Sequence, residues 1–284
     1  SFDAFYPFLY MADKQKEEKF LHAALLLYEW AEECISMPDG AYRNDCNSQW
    51  KGITVFAVIQ MSEAMKYHGH ILSETWRQRI LDRIGRAAEF ISHFEELNHN
   101  NVNYLIANCL ALYLSGKLLQ RECYISQAAE LWAKTQIYIS EEKILFGEGC
   151  PAEEYSPKGC KPVDMGYNIE ESLPILAQYA YESQNERLLT QTLNILKAQQ
   201  AFILEDGAVD NSFGTRNFKW TYWGSRTTDG CGLGYLLFAD REPSFGYTVF
   251  QNISLLQKCT HDGLLYGGLH NWELEEKPCV HHTF

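Results

Sequence analysis

SETWRQRILDRIGRAAEFISHFEELNHNNVNYLIANCLALYLSGKLL, residues 73–119, contains two helices of different kinds. Ser73 is a good N-cap, and Ile80, Ile84, Ala87, Phe90 and Ile91 follow at helical spacing with Arg, Asp and Glu between them. That pattern predicts an amphipathic helix over 73–95 with one face in water. Over 102–119 nearly every position is apolar, as burial on most sides demands. A half-exposed helix is thus paired with a buried one through a short polar link.

The same alternation runs outward along the chain. Helical patterns cover 17–36, 50–68, 122–142, 168–183, 185–204 and 243–259, with a shorter helix near 230–239. Those over 122–142 and 185–204 are charged like 73–95, whereas 50–68 and 168–183 are apolar around their circumference like 102–119. No period-two alternation longer than a few residues marks a strand. Exposed and buried helices joined in antiparallel pairs predict an all-α fold, an (α/α) toroid of helical hairpins. Residues 1–284 read as one such domain, ending at CVHHTF where a further helix could start. A weak repeat agrees: PDGAY (38–42), EDGAV (205–209) and HDGLLY (261–266) each follow a helix.

The composition narrows the function. A net charge of −13 argues against nucleic acid or an anionic membrane as the main partner. No uninterrupted apolar run approaches the ~18 residues of a membrane span, and the opening residues show no signal peptide. Nine cysteines occur without C-x-x-C spacing. Cys34, Cys109, Cys123 and Cys259 fall inside helices and read as small core residues. This usage points to a reducing compartment and a cytoplasmic location, with the periplasm or secretion as the alternative. Cys279, His281 and His282 lack a second half at zinc spacing, so neither a metal nor another cofactor is expected.

Long segments rich in aromatic and polar residues enter the buried helices: 36–52, the opening stretch, 146–168, 206–232 and 262–284. Long irregular segments in a compact domain are usually functional. Trp50, Trp220, Tyr222, Trp223 and Trp272 offer flat faces for sugar rings. Arg216 and Arg226, with Arg43, Lys51, Lys158, Lys161 and Lys219, could supply the local cationic patch an acidic sugar requires. A carbohydrate is therefore the expected partner. Asn98, His99, Asn100, Asn101 and Asn103 form a polar cluster before the buried helix, more than capping alone requires.

Three features resemble the α/α-toroid polysaccharide lyases, specifically the heparinase II/III-like and alginate-lyase-like group. Asn98-His99 at the head of a buried helix is similar to an Asn-His pair in these enzymes. GYNIEESLPIL (166–176) resembles their Tyr-led segment opening a later inner helix, and the succession of hairpins resembles their toroid. The resemblance implies an acidic poly- or oligosaccharide as the partner and β-elimination at a uronic acid. Asn98 and His99 would neutralise the uronate carboxylate, and Tyr167 would act in acid–base chemistry, with Tyr155 as its competitor. His270 or His281 would complete the site as a base. Two alternatives stay open. One is a glycoside hydrolase on the same toroid, drawing a carboxylate pair from Glu148, Asp164, Asp210 and Asp229. The other is a non-catalytic glycan-binding toroid.

Overall fold

The computed structural model describes residues 2–95, 101–149, 154–210, 232–258, 260–261 and 264–265. Its helices are α1 (Phe5–Gln15), α2 (Glu18–Cys34), α3 (Thr54–His68), α4 (Glu74–His93), α5 (Val102–Leu119) and α6 (Glu122–Thr135). They continue with α7 (Met165–Tyr167), a π-helical turn (Asn168–Ser172), α8 (Leu173–Ser183), α9 (Glu186–Gln200), α10 (Gly232–Leu237) and α11 (Pro243–Lys258). A two-residue antiparallel pair, Thr260–His261 with Leu264–Leu265, follows α11. Short and long connections alternate. The short ones after α1, α5 and α8 turn on a single left-handed residue, Lys16, Gln120 and Gln184 (φ 59°, 57° and 52°), which ends one helix and lets the next start two residues later.

Burial separates the helices as the hydrophobic pattern predicts. In α3, Val55, Ala57, Val58, Met61, Ala64 and Met65 are buried around the helix, and α5 is buried from Val102 to Leu112 except at Tyr104. By length and composition α5 could cross a membrane, but its burial within the fold makes it a core helix. By contrast α4 buries one stripe, Ile80, Arg83, Ile84, Ala87, Ala88 and Ile91, and α2 only Ala24, Tyr28 and Ala31.

Several expectations are corrected. The opening stretch is a helix rather than a loop, because Phe5, Leu9 and Ala12 put one apolar face into the core. The 122–142 helix stops at Thr135, and a short 3-10 turn carries the chain into a bridge between Ile139 and Leu145. The 168–183 helix begins at Met165, where Asp164 caps it. Cys109 is buried, but Cys34 and Cys123 lie on exposed helix faces and are not core residues; Cys259 lies outside the described residues.

The chain divides into two compact units, Ser1–Leu97 with Ala107–Ala133, and Asn98–Ile106 with Lys134–Phe284. In the first, α1 to α4 enclose Phe5, Leu9, Tyr28, Tyr42, Met61, Ile80 and Ile84. The fully buried Arg83 of α4 donates to Glu32 (2.7 Å) and to the carbonyls of Gly40 (2.7 Å) and Ala41 (3.0 Å), and its guanidinium lies 3.9 Å from the Tyr42 ring centroid. One side chain thus satisfies the PDGAY turn from inside.

The repeated turn is a backbone motif. After α2, Met37 N–H donates to Ala41 O, Gly40 N–H to Met37 O and Arg43 N–H to Ile35 O. After α9 the same three bonds recur as Leu204 to Ala208, Gly207 to Leu204 and Asp210 to Phe202. Asp39 and Asp206 each accept from the N–H two residues on. Gly40 (φ 95°) and Gly207 (φ 91°) are pressed against the backbones of α4 and α11, where a Cβ would collide with Arg86 O and with the Gln251 carbonyl. A further copy after α6 carries no Asp-Gly: Ser140 donates to Ile144, Lys143 to Ser140 and Phe146 to Tyr138, with Lys143 left-handed (φ 68°) at the glycine position.

Candidate functional site

In the second unit, three consecutive residues at the start of α5 are held by three consecutive loop residues. Val102 N–H donates to Gly147 O (3.1 Å), Asn103 N–H points to Glu148 Oε2 (3.4 Å), and Gly149 N–H donates to Asn101 Oδ1 (3.2 Å). Gly147 (φ 89°) and Gly149 (φ 80°) take backbone angles that favour glycine and so aim Glu148 inward. Glu148 is fully buried. A carboxylate there meets unpaired N–H groups and the positive end of the helix dipole, which offset part of its desolvation.

The other half of the site is the segment around Tyr167. Asp164, buried, accepts from Tyr167 N–H (3.1 Å) and starts α7. The next turn widens into π geometry over Asn168–Ser172. Pro174 gives the physical reason: it has no N–H to offer the carbonyl of residue 170, and its ring would crowd that oxygen in an ordinary α-turn. The wide turn brings Glu171 to α5, where Asn103 Nδ2 donates to its Oε2 at 2.6 Å, a charge-assisted bond. Asn168 Nδ2 donates to Leu145 O (3.0 Å), and Gly147 N–H to Pro162 O (2.7 Å), so α5, the 145–149 loop and the Tyr167 segment are bound together.

This junction has spare hydrogen-bonding capacity. Asn103 Oδ1, Asn168 Oδ1 and Ser172 Oγ are buried and have no hydrogen-bond partner among the described residues. Buried polar atoms are nearly always satisfied, and Gln60, Ser62, Asn108, Thr192 and Gln199 also carry buried polar atoms with no partner among the described residues, so such atoms are not confined to this junction. Among the described residues no group of three His, Cys, Asp or Glu side chains is arranged to hold a metal.

The sequence-derived candidates divide accordingly. Tyr167 is half-buried at the junction. Tyr155 is exposed, with the Lys161 ammonium 4.4 Å from its ring centroid. Trp50, in the first unit, is half-buried, 5.8 Å from Phe94 between ring centroids, and lies on Gly52, where a Cβ would strike the indole. Asn98, His99, Arg216, Trp220, Tyr222, Trp223, Arg226 and His270 lie outside the described residues, as do Trp272, Asp229, Cys279, His281 and His282. From sequence, Glu148 reads only as a hydrolase carboxylate and Asn103 only as part of the polar cluster, and Glu171 does not stand out. The Gly-Glu-Gly at 147–149 and the Pro after IEES were the available signals. Asp164 and Glu148 face backbone N–H groups, a binding that suits structural carboxylates better than a hydrolytic pair.

A family model described as the ulvan lyase N-terminal domain matches residues 1–284. A broad-specificity ulvan lyase from Formosa agariphila is 39% identical over 285 residues, covering 99% of this chain and 45% of the relative. The chain therefore spans about half the length of the curated relative it matches. Among solved structures, a sugar epimerase from a ruminal bacterium aligns with a TM-score of 0.66 at 14% identity, over 93% of this chain and 76% of its own. A GH76 alpha-mannanase from Bacteroides thetaiotaomicron aligns with a TM-score of 0.64 at 12% identity, over 92% of this chain and 74% of its own. Agreement in backbone at such low identity shows the fold alone, and that fold is the all-α (α/α) toroid.

Proposed function

The chain belongs to the ulvan lyase N-terminal domain family, and from that premise we propose that it is the toroid domain of a lyase cleaving uronic-acid-containing polysaccharides by β-elimination. Ulvan, for which the relative is named, is the first substrate to try. The closer affinity to the heparinase II/III-like or alginate-lyase-like group is part of the same reading. The observation that carries it is the 2.6 Å bond from Asn103 to Glu171. It ties the helix start that follows Asn98-His99 to the turn that follows Tyr167, the two segments singled out by their resemblance to lyases.

The chemistry fits these residue types. The proton at C5 of a uronate is barely acidic while the adjacent carboxylate bears its full charge. Neutral donors aimed at that carboxylate stabilise the enolate-like transition state, the role given to Asn98 and His99. A base, His270 or Tyr167, takes the C5 proton. The electron pair forms the C4–C5 double bond, the bond from C4 to the glycosidic oxygen breaks, and that oxygen takes a proton from a Tyr hydroxyl or water. Tyr167 is preferred to Tyr155 because it is half-buried at the junction, whereas Tyr155 is exposed. Trp50, Trp220, Tyr222 and Trp223 would stack on sugar rings, and Arg216 and Arg226 would meet the anionic groups. A polymer too large to cross a membrane is met outside the cytoplasm, which favours the periplasmic or secreted alternative.

The products test the reading. Incubating the full-length polypeptide with ulvan should raise ultraviolet absorbance as the conjugated double bond forms. New reducing ends without that absorbance would mean hydrolysis, and binding with neither signal would mean a glycan-binding toroid.

A further inference from the structure

Helix α11 is apolar on two opposite sides. Phe245, Val249 and Leu255, with Thr248 and Asn252, face the interior. On the other side Tyr247 (64% exposed), Phe250 (66%) and Ile253 (48%) stand in water at successive three-residue steps. Pro243 and Gly246 extend the same face, and a Cβ built on Gly246 would meet nothing within 4 Å. Leu233 and Leu236 of α10, the helix packed against α11, are also exposed. Arg241 precedes this surface and Gln257 and Lys258 close it, so an apolar stripe is rimmed by polar residues.

Single exposed apolar side chains are ordinary, but a contiguous, polar-rimmed set marks an interaction surface. A helix apolar on both sides has the pattern of one buried on both sides. The curated relative supplies the occupant: this chain covers 45% of its length, and the matching family is described as an N-terminal domain. More than half of that relative is thus polypeptide outside the matched region. A second copy of this chain is the weaker candidate, since each copy has a net charge of −13 and the two would repel. We propose that the Tyr247–Phe250–Ile253 face of α11 is an intrachain docking surface, covered in the full-length protein by polypeptide outside residues 1–284 through an apolar contact. The surface is independent of the catalytic reading.

Hydroxyl-radical footprinting of the full-length protein, combined with p-benzoylphenylalanine incorporated at position 250, tests this. Tyr10 and Tyr181, 46% and 49% exposed, are the internal references, being the same residue type and less exposed than Tyr247. Tyr247 should be labelled several-fold more slowly than either reference. The photo-adduct should join position 250 to a peptide outside residues 1–284 and run at single-chain mass on a denaturing gel. Any other combination overturns the proposal: labelling of Tyr247 as fast as the references, an adduct within residues 1–284, an adduct at twice the chain mass, or no adduct. Tyr247→Ser with Phe250→Ser should increase protease cutting at the boundary after residue 284, and unchanged cutting counts against the proposal.

Discussion

The turn after α2 and the turn after α6 share a backbone pattern and serve different ends. After α2, two carbonyls and an N–H of the turn find side-chain partners nearby. Arg83 takes the Gly40 and Ala41 carbonyls, and Thr54 Oγ1 accepts from Tyr42 N–H at 2.9 Å. After α6, the chain runs from the turn into Phe146-Gly147-Glu148-Gly149, which grips α5, and beside it three buried polar atoms lack a partner among the described residues. A repeated unit can thus be closed by a buried cation in one copy and left with unused hydrogen-bonding capacity in another.

The comparison can be broken at its anchor. Arg83→Ala removes every bond from α4 to the PDGAY turn and leaves Glu32 and two carbonyls short of a donor. We expect a loss of about 3–5 kcal/mol in urea unfolding; a loss under about 1 kcal/mol would show that the turn holds itself.

The glycine position offers a paired test. Gly207→Ala forces an L-residue into φ 91° and drives its Cβ into the Gln251 backbone, so about 1–3 kcal/mol should be lost. Lys143→Gly at φ 68° should do the reverse. It relieves a left-handed cost of about 1–2 kcal/mol at an unfolded-state cost of about 0.5–1 kcal/mol, so the variant should be neutral to about 1.5 kcal/mol more stable. Loss at both positions would mean that the third turn is not a copy of the others.

The smallest effect concerns Asp39. Its hydrogen bond from Lys51 (2.6 Å), with a second from Ala41 N–H, holds its carboxyl below the ordinary value of 3.8. A depressed folded-state value means that the contribution is full above 3.8 and is lost as pH falls below it. Asp39→Asn should therefore lower the thermal midpoint at neutral pH, by an amount set by under about 1 kcal/mol for so exposed a pair. The gap should close in acid; a gap that widened there would reverse the assignment.

Most of the fold was legible because burial writes itself into helical periodicity. The contrast between residues 73–95 and 102–119 alone separates α4 from α5. Helix α1 was missed because only Phe5, Leu9 and Ala12 mark its buried face among other aromatics. The turn after α6 was missed because Lys143 stands where its relatives have glycine, and a left-handed lysine leaves no trace in sequence. At the site, Asn101, Asn103 and Tyr167 lay in segments that sequence reasoning selected. Glu171 did not stand out, because its role depends on a π-turn set by Pro174 and on a partner 68 residues away.

On the proposed reading, Tyr167 carries acid–base chemistry in a β-elimination. The most direct test of that role is Tyr167→Phe in the full-length polypeptide, with ulvan turnover read by ultraviolet absorbance and glycan binding measured separately. Loss of a general acid–base hydroxyl should reduce turnover by about 100- to 10,000-fold while glycan affinity and thermal stability stay close to wild type. Wild-type turnover in the Tyr167→Phe variant would contradict the claim.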